Sequence, residues 1–254
     1  QKVTTATGSY YWADGVDSQG NPNPLGTHPD KCCGADAQFN WYQQIYDHLT
    51  LTLTNTVKAS NPINIKFTGG GNSDVLVNST SGIVINGSIN NLQGTTTLNA
   101  TGTNSSITVG ANANNPVISG TSVTLRGDGG IGTLGANGTP VQVQLYGGSL
   151  TASSIDRDIA IAAVGALSIN QVNVNSAGAT PQGNVFLSAV GDINSASAYN
   201  PANPVVTGKN IEINSTSGAI GATSAVVNGA STLTNINPLV IQASGTVQAG
   251  GAVD

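Results

Sequence analysis

Apolar and polar residues alternate from residue 49 onward. Leu49-Thr50-Leu51-Thr52-Leu53-Thr54 alternates strictly, and Ile63-Asn64-Ile65-Lys66-Phe67 does so again. That period places successive side chains on opposite faces of a half-buried strand. Short apolar triplets then recur: Val75-Leu76-Val77, Thr96-Thr97-Leu98, Val123-Thr124-Leu125, Val143-Gln144-Leu145, Ile159-Ala160-Ile161, Val185-Phe186-Leu187, Ile211-Glu212-Ile213 and Leu239-Val240-Ile241. Their starts are mostly 20 to 28 residues apart. Several are followed by a glycine and then an aliphatic residue: Gly82 and Ile83, Gly130 and Ile131, Gly165 and Leu167, Gly191 and Ile193, Gly218 and Ile220. Two words repeat outright. Asn78-Ser79-Thr80-Ser81-Gly82 returns at Asn214-Ser215-Thr216-Ser217-Gly218, and Ala163-Val164-Gly165 returns 26 residues later at Ala189-Val190-Gly191.

Strand triplets joined by short turns at a steady period are the signature of a solenoid in which each repeat is one coil. The pattern predicts an all-β chain whose body, residues 49–254, is a parallel β-helix with inward Val, Ile and Leu stacked on their equivalents. At the strand spacing of about 4.8 Å, some eight coils make a rod roughly 38 Å long. An antiparallel sandwich with short strands is the competing fold for the same turn density.

Composition sharpens this. Gly (33), Asn (29), Thr (28) and Ser (24) make up 114 of the 254 residues, and only 7% are charged. All four are poor helix formers, so a helical bundle or a doubly wound α/β enzyme is excluded. The 38% of apolar residues and a net charge of −5 still suffice for a core, which argues against disorder. Asn suits the turns because it tolerates left-handed backbone angles, and it can ladder with Asn in adjacent coils. Five Lys and two Arg cannot neutralise a phosphate backbone, so nucleic acid is excluded as a partner. No apolar run approaches the ~20 residues of a membrane-spanning helix, and no membrane insertion is expected. The first residues lack the basic end and apolar core of a secretory signal, and the chain from Gln1 reads as a processed or excised segment.

Residues 1–48 differ from the body. They hold Trp12 and Trp41, Tyr10, Tyr11, Tyr42 and Tyr46, His28 and His48, and the adjacent Cys32 and Cys33. This segment reads as an irregular N-terminal cap or docking element, its aromatic rings being of the type favoured at interface cores. Neighbouring thiols bond to each other only in a strained ring, whereas each can reach another chain in an oxidising exterior. Cys32 and Cys33 are therefore candidates for interchain disulfides. No metal-ligand spacing joins His28, Asp30, Cys32, Cys33 and His48, and Asp14, Asp17 and Asn21 form only a partial calcium loop. No metal and no cofactor is expected.

In the body, Asp156-Arg157-Asp158 is a charged cluster whose two carboxylates would share one face of a strand. Without a second carboxylate set one coil away, it reads as a solvated turn, and no catalytic residue is assigned. Arg126-Gly127-Asp128 spells an integrin-binding tripeptide inside a Gly-rich stretch and is a candidate receptor motif. Asn78, Asn86, Asn99, Asn104 and Asn214 head glycosylation acceptor sequences, no more than this composition supplies by chance.

The runs Asn78-Ser79-Thr80-Ser81-Gly82-Ile83-Val84-Ile85-Asn86-Gly87-Ser88-Ile89, Val185-Phe186-Leu187-Ser188-Ala189-Val190-Gly191-Asp192-Ile193 and Thr207-Gly208-Lys209-Asn210-Ile211-Glu212-Ile213 resemble the degenerate repeats of filamentous-haemagglutinin-like adhesins, bacterial exoproteins of the two-partner secretion type. The resemblance spans about residues 63–254. It implies a right-handed parallel β-helix at a bacterial surface, serving as stalk, adhesin or matrix scaffold. Asn21-Pro22-Asn23-Pro24 is similar to that family's secretion motif only superficially. The expected function is thus a structural or adhesive component of a secreted surface filament, not an enzyme, with copies of itself as partners and surface glycans as further ones. The alternatives are a carbohydrate-active β-helix enzyme using Asp156 and Asp158, and a glycan-binding module stacking sugars on Trp12 and Trp41.

Overall fold

The computed structural model describes residues 51–55 and 74–252, apart from 112, 177, 179, 228, 229 and 235. The segment 1–48, with its aromatic residues and with Cys32 and Cys33, lies outside the described residues, as does the alternating run at 63–67. Among the described residues there is no helix, and nineteen strands, numbered in chain order, account for the regular structure.

One sheet runs in strict sequence order through β1 (Leu51–Asn55), β2 (Val75–Ser79), β4 (Thr96–Ala100), β7 (Val123–Gly127), β9 (Leu150–Ile155), β11 (Leu167–Asn175), β14 (Val206–Gly208) and β18 (Ile241–Ala243). A second runs through β6 (Val117–Gly120), β8 (Val141–Leu145), β10 (Ile159–Ala163), β12 (Val185–Ala189), β15 (Ile211–Ser215) and β19 (Val247–Gly250). β3 (Ile83–Ile85) pairs with β5 (Ile107–Val109), and β13 (Ile193–Ser195) lies beside β11. All of these pairs are parallel. The exception is an antiparallel hairpin of β16 (Thr223–Val227) and β17 (Ala230–Thr234). The fold is therefore all-β and dominated by parallel sheets, consistent with a β-helix-like arrangement and not with an antiparallel sandwich.

The sequence triplets meet in register. Val75 pairs with Thr96 and Thr96 with Val123, while Ile159 pairs with Val185 and Val185 with Ile211. Ala163 of the repeated Ala-Val-Gly word lies opposite Ala189 of its copy. Two triplets fall short: Val143-Gln144-Leu145 is out of step with Ile159-Ala160-Ile161, Val143 lying opposite Ala163, and of Leu239-Val240-Ile241 just Ile241 enters a strand. Of the aliphatic residues that follow glycine, Leu167, Ile193 and Ile220 pair with one another, whereas Ile83 and Ile131 extend the line of the Ile159, Val185 and Ile211 triplets. Ile83, Ile107, Ile131, Ile159, Val185, Ile211 and Val247 pair successively, four of the seven through one-residue bridges around Ile131 or in the short β3–β5 pair. Ile107, Ile131 and Ile159 in the middle of that column are fully buried. A second column runs from Val77 through Leu98, Leu125, Ala152, Val172 and Val206 to Ile241.

Polar side chains secure the turns at a fixed place. The residue just before a paired position accepts the backbone N–H of its equivalent one repeat later. Asp74 accepts from Thr95 at 3.0 Å, Ser88 from Val117 at 3.0 Å, and Ser122 from Ser149 at 3.3 Å. Asp158 accepts from Asn184 at 2.7 Å, Asp192 from Ala219 at 2.8 Å, and Asn210 from Thr246 at 3.0 Å. Each supplies a partner to a main-chain donor at the sheet margin, which would otherwise be left to solvent. Asparagines also ladder, Asn99 donating to Asn78 at 2.9 Å and Asn210 to Asn184 at 2.8 Å. Two non-glycine turn residues at positive φ are asparagines, Asn104 (56°) and Asn115 (44°).

The word Asn-Ser-Thr-Ser-Gly is explained by a corner. Its first serine, Ser79 or Ser215, ends a strand with a buried side chain whose Oγ accepts from Ser81 N or Gly218 N, turning the chain toward Ile83 or Ile220. One corner thus serves both sheets.

Removing a buried aliphatic group from the centre of a column loses its transfer energy and leaves a cavity that a stacked ladder cannot easily close. Ile159→Ala is expected to lower unfolding free energy by about 2–5 kcal/mol, and the outward Thr124→Ala by no more than ~0.5 kcal/mol. Urea unfolding followed by far-UV circular dichroism checks both.

Candidate functional site

Inward positions of the second sheet are filled by the columns, so its chemistry must come from the outward row. In β10, β12, β15 and β19 that row is Ala160, Phe186, Glu212 and Gln248, each directly opposite the next. Most outward positions elsewhere are Ser, Thr, Asn or Gln, as at Thr97, Thr124, Gln142 and Ser188. This row is different. Phe186 is the one phenylalanine among the described residues, and Glu212 is the only glutamate in the entire chain.

Ala160 is outward yet fully buried, because the loop from Gly132 to Thr139 lies over it. The loop grows out between two pairings of β10, Ile131 with Ile159 and Val141 with Ile161. Its neck is clasped. Thr133 N donates to Thr139 O at 3.1 Å, Thr139 N to Thr133 Oγ1 at 2.8 Å, and Gly138 N to Gly135 O at 2.8 Å. Gly132 has φ of 64°, and a Cβ there would meet the Ala160 carbonyl at 2.5 Å. The glycine and the small alanine beneath it let the loop sit flat on the sheet.

Where the loop ends, the next three strands form the floor of a groove of about 540 Å³. Leu134 and Pro140 stand on the loop side, and Phe186, Glu212 and Gln248 cross the floor, with Asn184, Asn210 and Thr246 along one margin. Adjacent strands lie about 4.8 Å apart, so the three floor side chains span about 10 Å. Glu212 Oε1 accepts from Asn214 Nδ2 at 2.7 Å, which fixes the carboxylate, and Oε2 has no hydrogen-bond partner among the described residues. Asn210 Oδ1 accepts from both the amide and the hydroxyl of Thr246 at 3.0 Å. The site therefore joins an aromatic face and two aliphatic loop residues to a carboxylate and several amides, with Phe186, Glu212 and Gln248 on paired strands and the remaining amides at the strand starts. It has the composition of a binding groove.

The residues singled out from sequence fall elsewhere. Cys32, Cys33, Trp12, Trp41, Tyr10, Tyr11, Tyr42 and Tyr46 lie outside the described residues. Arg126 and Gly127 end β7 within the sheet, Gly127 opposite Ala100. Arg126 Nε and Asp128 Oδ1 pair with each other at 3.0 Å, and Asp128 N donates to Ala100 O. The tripeptide is thus woven into the ladder with its two charges joined.

Asp156 and Asp158 do not share a strand face. They occupy the turn between β9 and β10, where Asp156 takes a left-handed φ of 49°. Asp156 Oδ1 accepts from Gln182 N at 3.3 Å, and Asp158 Oδ1 from Asn184 N and Nδ2. Both act as turn acceptors one repeat apart from their donors. Arg157 reaches back to Asn104 Oδ1 at 3.1 Å. Sequence reasoning passed over Phe186, Glu212 and Gln248 because each sits inside a regular strand word. The available signal was the uniqueness of Glu212 at an outward position.

The loop wall depends on the left-handed glycine. Gly132→Ala is expected to cost about 1–3 kcal/mol through backbone strain, whereas exposed Asn137→Ala in the same loop changes stability by less than ~0.5 kcal/mol; guanidinium unfolding of both variants checks this. No family model matches the chain, and no curated protein or solved structure matches it either.

Proposed function

We propose that this chain is a structural or adhesive element of a secreted bacterial surface filament or matrix, built on a right-handed parallel β-helix. The observation that carries the reading is the sheet that runs from β1 to β18 in strict sequence order, each strand paired in parallel with the one a repeat later. Parallel strands in one sheet need crossovers, and crossovers of this kind are right-handed in about 98% of cases. A chain that coils in this way is a rod whose stiffness comes from continuous backbone ladders and stacked aliphatics. Such a rod has a mechanical role without catalysis.

The reading extends to assembly. Among the described residues β18 and β19 are the last strands of their sheets, and Val247, which continues the isoleucine column, is half exposed. Such an edge is continued either by further repeats of the same chain or by another copy. Head-to-tail addition of a second copy continues both ladders, and Cys32 and Cys33 then lock neighbours in an oxidising exterior. Copies of the same chain are the principal partners, with surface glycans as secondary ones.

Negative-stain electron microscopy of the full chain tests this. Thin regular fibres are expected, dispersing on addition of a thiol reductant, and absent in Val247→Lys, which puts a charge on the continuing column. Short dispersed rods from the unsubstituted chain under oxidising conditions would sink the proposal, and fibres indifferent to reductant would remove the role of Cys32 and Cys33.

A further inference from the structure

We infer that the groove floored by Phe186, Glu212 and Gln248 binds a linear, uncharged oligosaccharide. The inference stands on the groove alone and does not depend on whether the rods polymerise. Three observations carry it.

The first is the outward aromatic ring. Burying Phe186 among the columns would contribute more to stability than leaving it at an outward position, yet it replaces the Ser, Thr or Gln usual there. A half-buried ring beside Leu134 and Pro140 offers a flat apolar platform. Pyranose rings present C–H faces that stack on such a surface while their hydroxyl groups stay at the rim.

The second is the pattern of polar groups. Hydroxyl groups both donate and accept, so a saccharide needs both kinds of partner close together. Glu212 Oε2 accepts only, Gln248 both donates and accepts, and the amide of Asn210 retains one N–H beyond its bond to Asn184. Glu212 and Gln248 stand on adjacent strands about 4.8 Å apart, a spacing of the order of one sugar ring, and Asn210 immediately precedes the strand of Glu212. Their positions are fixed by the in-register ladder and, for Glu212, by Asn214. Little ordering is required when a ligand arrives, which favours binding.

The third is charge. Among the residues lining the groove, Glu212 is the only charged side chain, and the whole chain carries −5. An unopposed carboxylate repels uronate or sulfate groups and leaves the uncharged saccharides as the fitting class. The loop clasped by Thr133 and Thr139 closes the groove on one side, while its long axis runs across the strands and stays open toward Gln248. An open-ended groove suits a chain segment better than a single sugar.

Isothermal titration calorimetry on the full chain, kept dispersed in reductant, tests the inference. The probes are cellohexaose, maltohexaose, laminarihexaose, mannohexaose and chitohexaose, with hexagalacturonate as the anionic control. At least one uncharged hexasaccharide is expected to bind at one site per chain and more tightly than hexagalacturonate. Phe186→Ala is expected to weaken that binding by about tenfold or more, while Phe186→Tyr keeps it within about threefold, because the platform is retained. Glu212→Gln narrows the discrimination against hexagalacturonate. Unchanged thermal melting of the variants shows that the groove, not the fold, is being altered, and Gln248→Ala on the edge strand provides a second variant whose folding is safe. No binding by any uncharged hexasaccharide at millimolar concentration, tighter binding of hexagalacturonate, or full binding by Phe186→Ala would each overturn the inference.

Discussion

Parallel pairing in register forces like onto like. When residue i of one strand lies opposite its counterpart in the next, every inward side chain must stack on an inward side chain, and every turn must fall over a turn. That constraint accounts for the low diversity of the chain. The column from Ile83 to Val247 contains only isoleucine and valine, because a β-branched residue packs well on its own kind along a pleated surface. The same rule places Asn99 beside Asn78 and Asn210 beside Asn184, where amides bond to each other across repeats. A core this thin needs few large side chains, which is why a chain with 4% aromatic residues can still fold.

Much of the architecture was legible because of this rule. The triplets at Val75, Thr96 and Val123 pair with one another, as do those at Ile159, Val185 and Ile211, and the Gly-Ile signals divide between the line of the Ile159 triplets and a separate line through Leu167, Ile193 and Ile220. The repeats are not equal in length, however. Partners are 20 residues apart between Val141 and Ile161 but 36 apart between Ile211 and Val247, where the β16–β17 hairpin is inserted. Such insertions hide the register of neighbouring words from a reading along the chain. The Leu239 triplet failed for this reason, lying just after the insertion and entering its strand only at Ile241. The misplacement of Asp156 and Asp158 had a different cause: alternating carboxylates look like a strand face, and only the left-handed backbone at Asp156 reveals a turn.

The groove was illegible for a related reason. Phe186, Glu212 and Gln248 come from three repeats, and nothing local to any of them announces a site. What brings them together is the fixed offset between β12, β15 and β19, while the wall comes from a loop attached near Ile131, two pairings away. The division of labour is clear: inward positions are dictated by the neighbouring repeat and cannot vary freely, whereas outward positions answer only to solvent. Loops such as 132–139 can be extruded there without disturbing the column beneath, since Ile131 and Ile159 still pair below it. New surface chemistry can accumulate on an unchanged interior.

The side-chain acceptors before each strand have a consequence in time. Asp74, Asp158, Asp192 and Asn210 all receive a proton donor from the repeat that follows, at separations of 21, 26, 27 and 36 residues. Each turn is therefore completed only when the next length of chain arrives, and the loops that must close remain short for a sheet protein, so their entropic cost is small. A chain delivered from its N-terminus finds at every stage a finished edge with acceptors already positioned, and it can order itself a repeat at a time without waiting for its distant end.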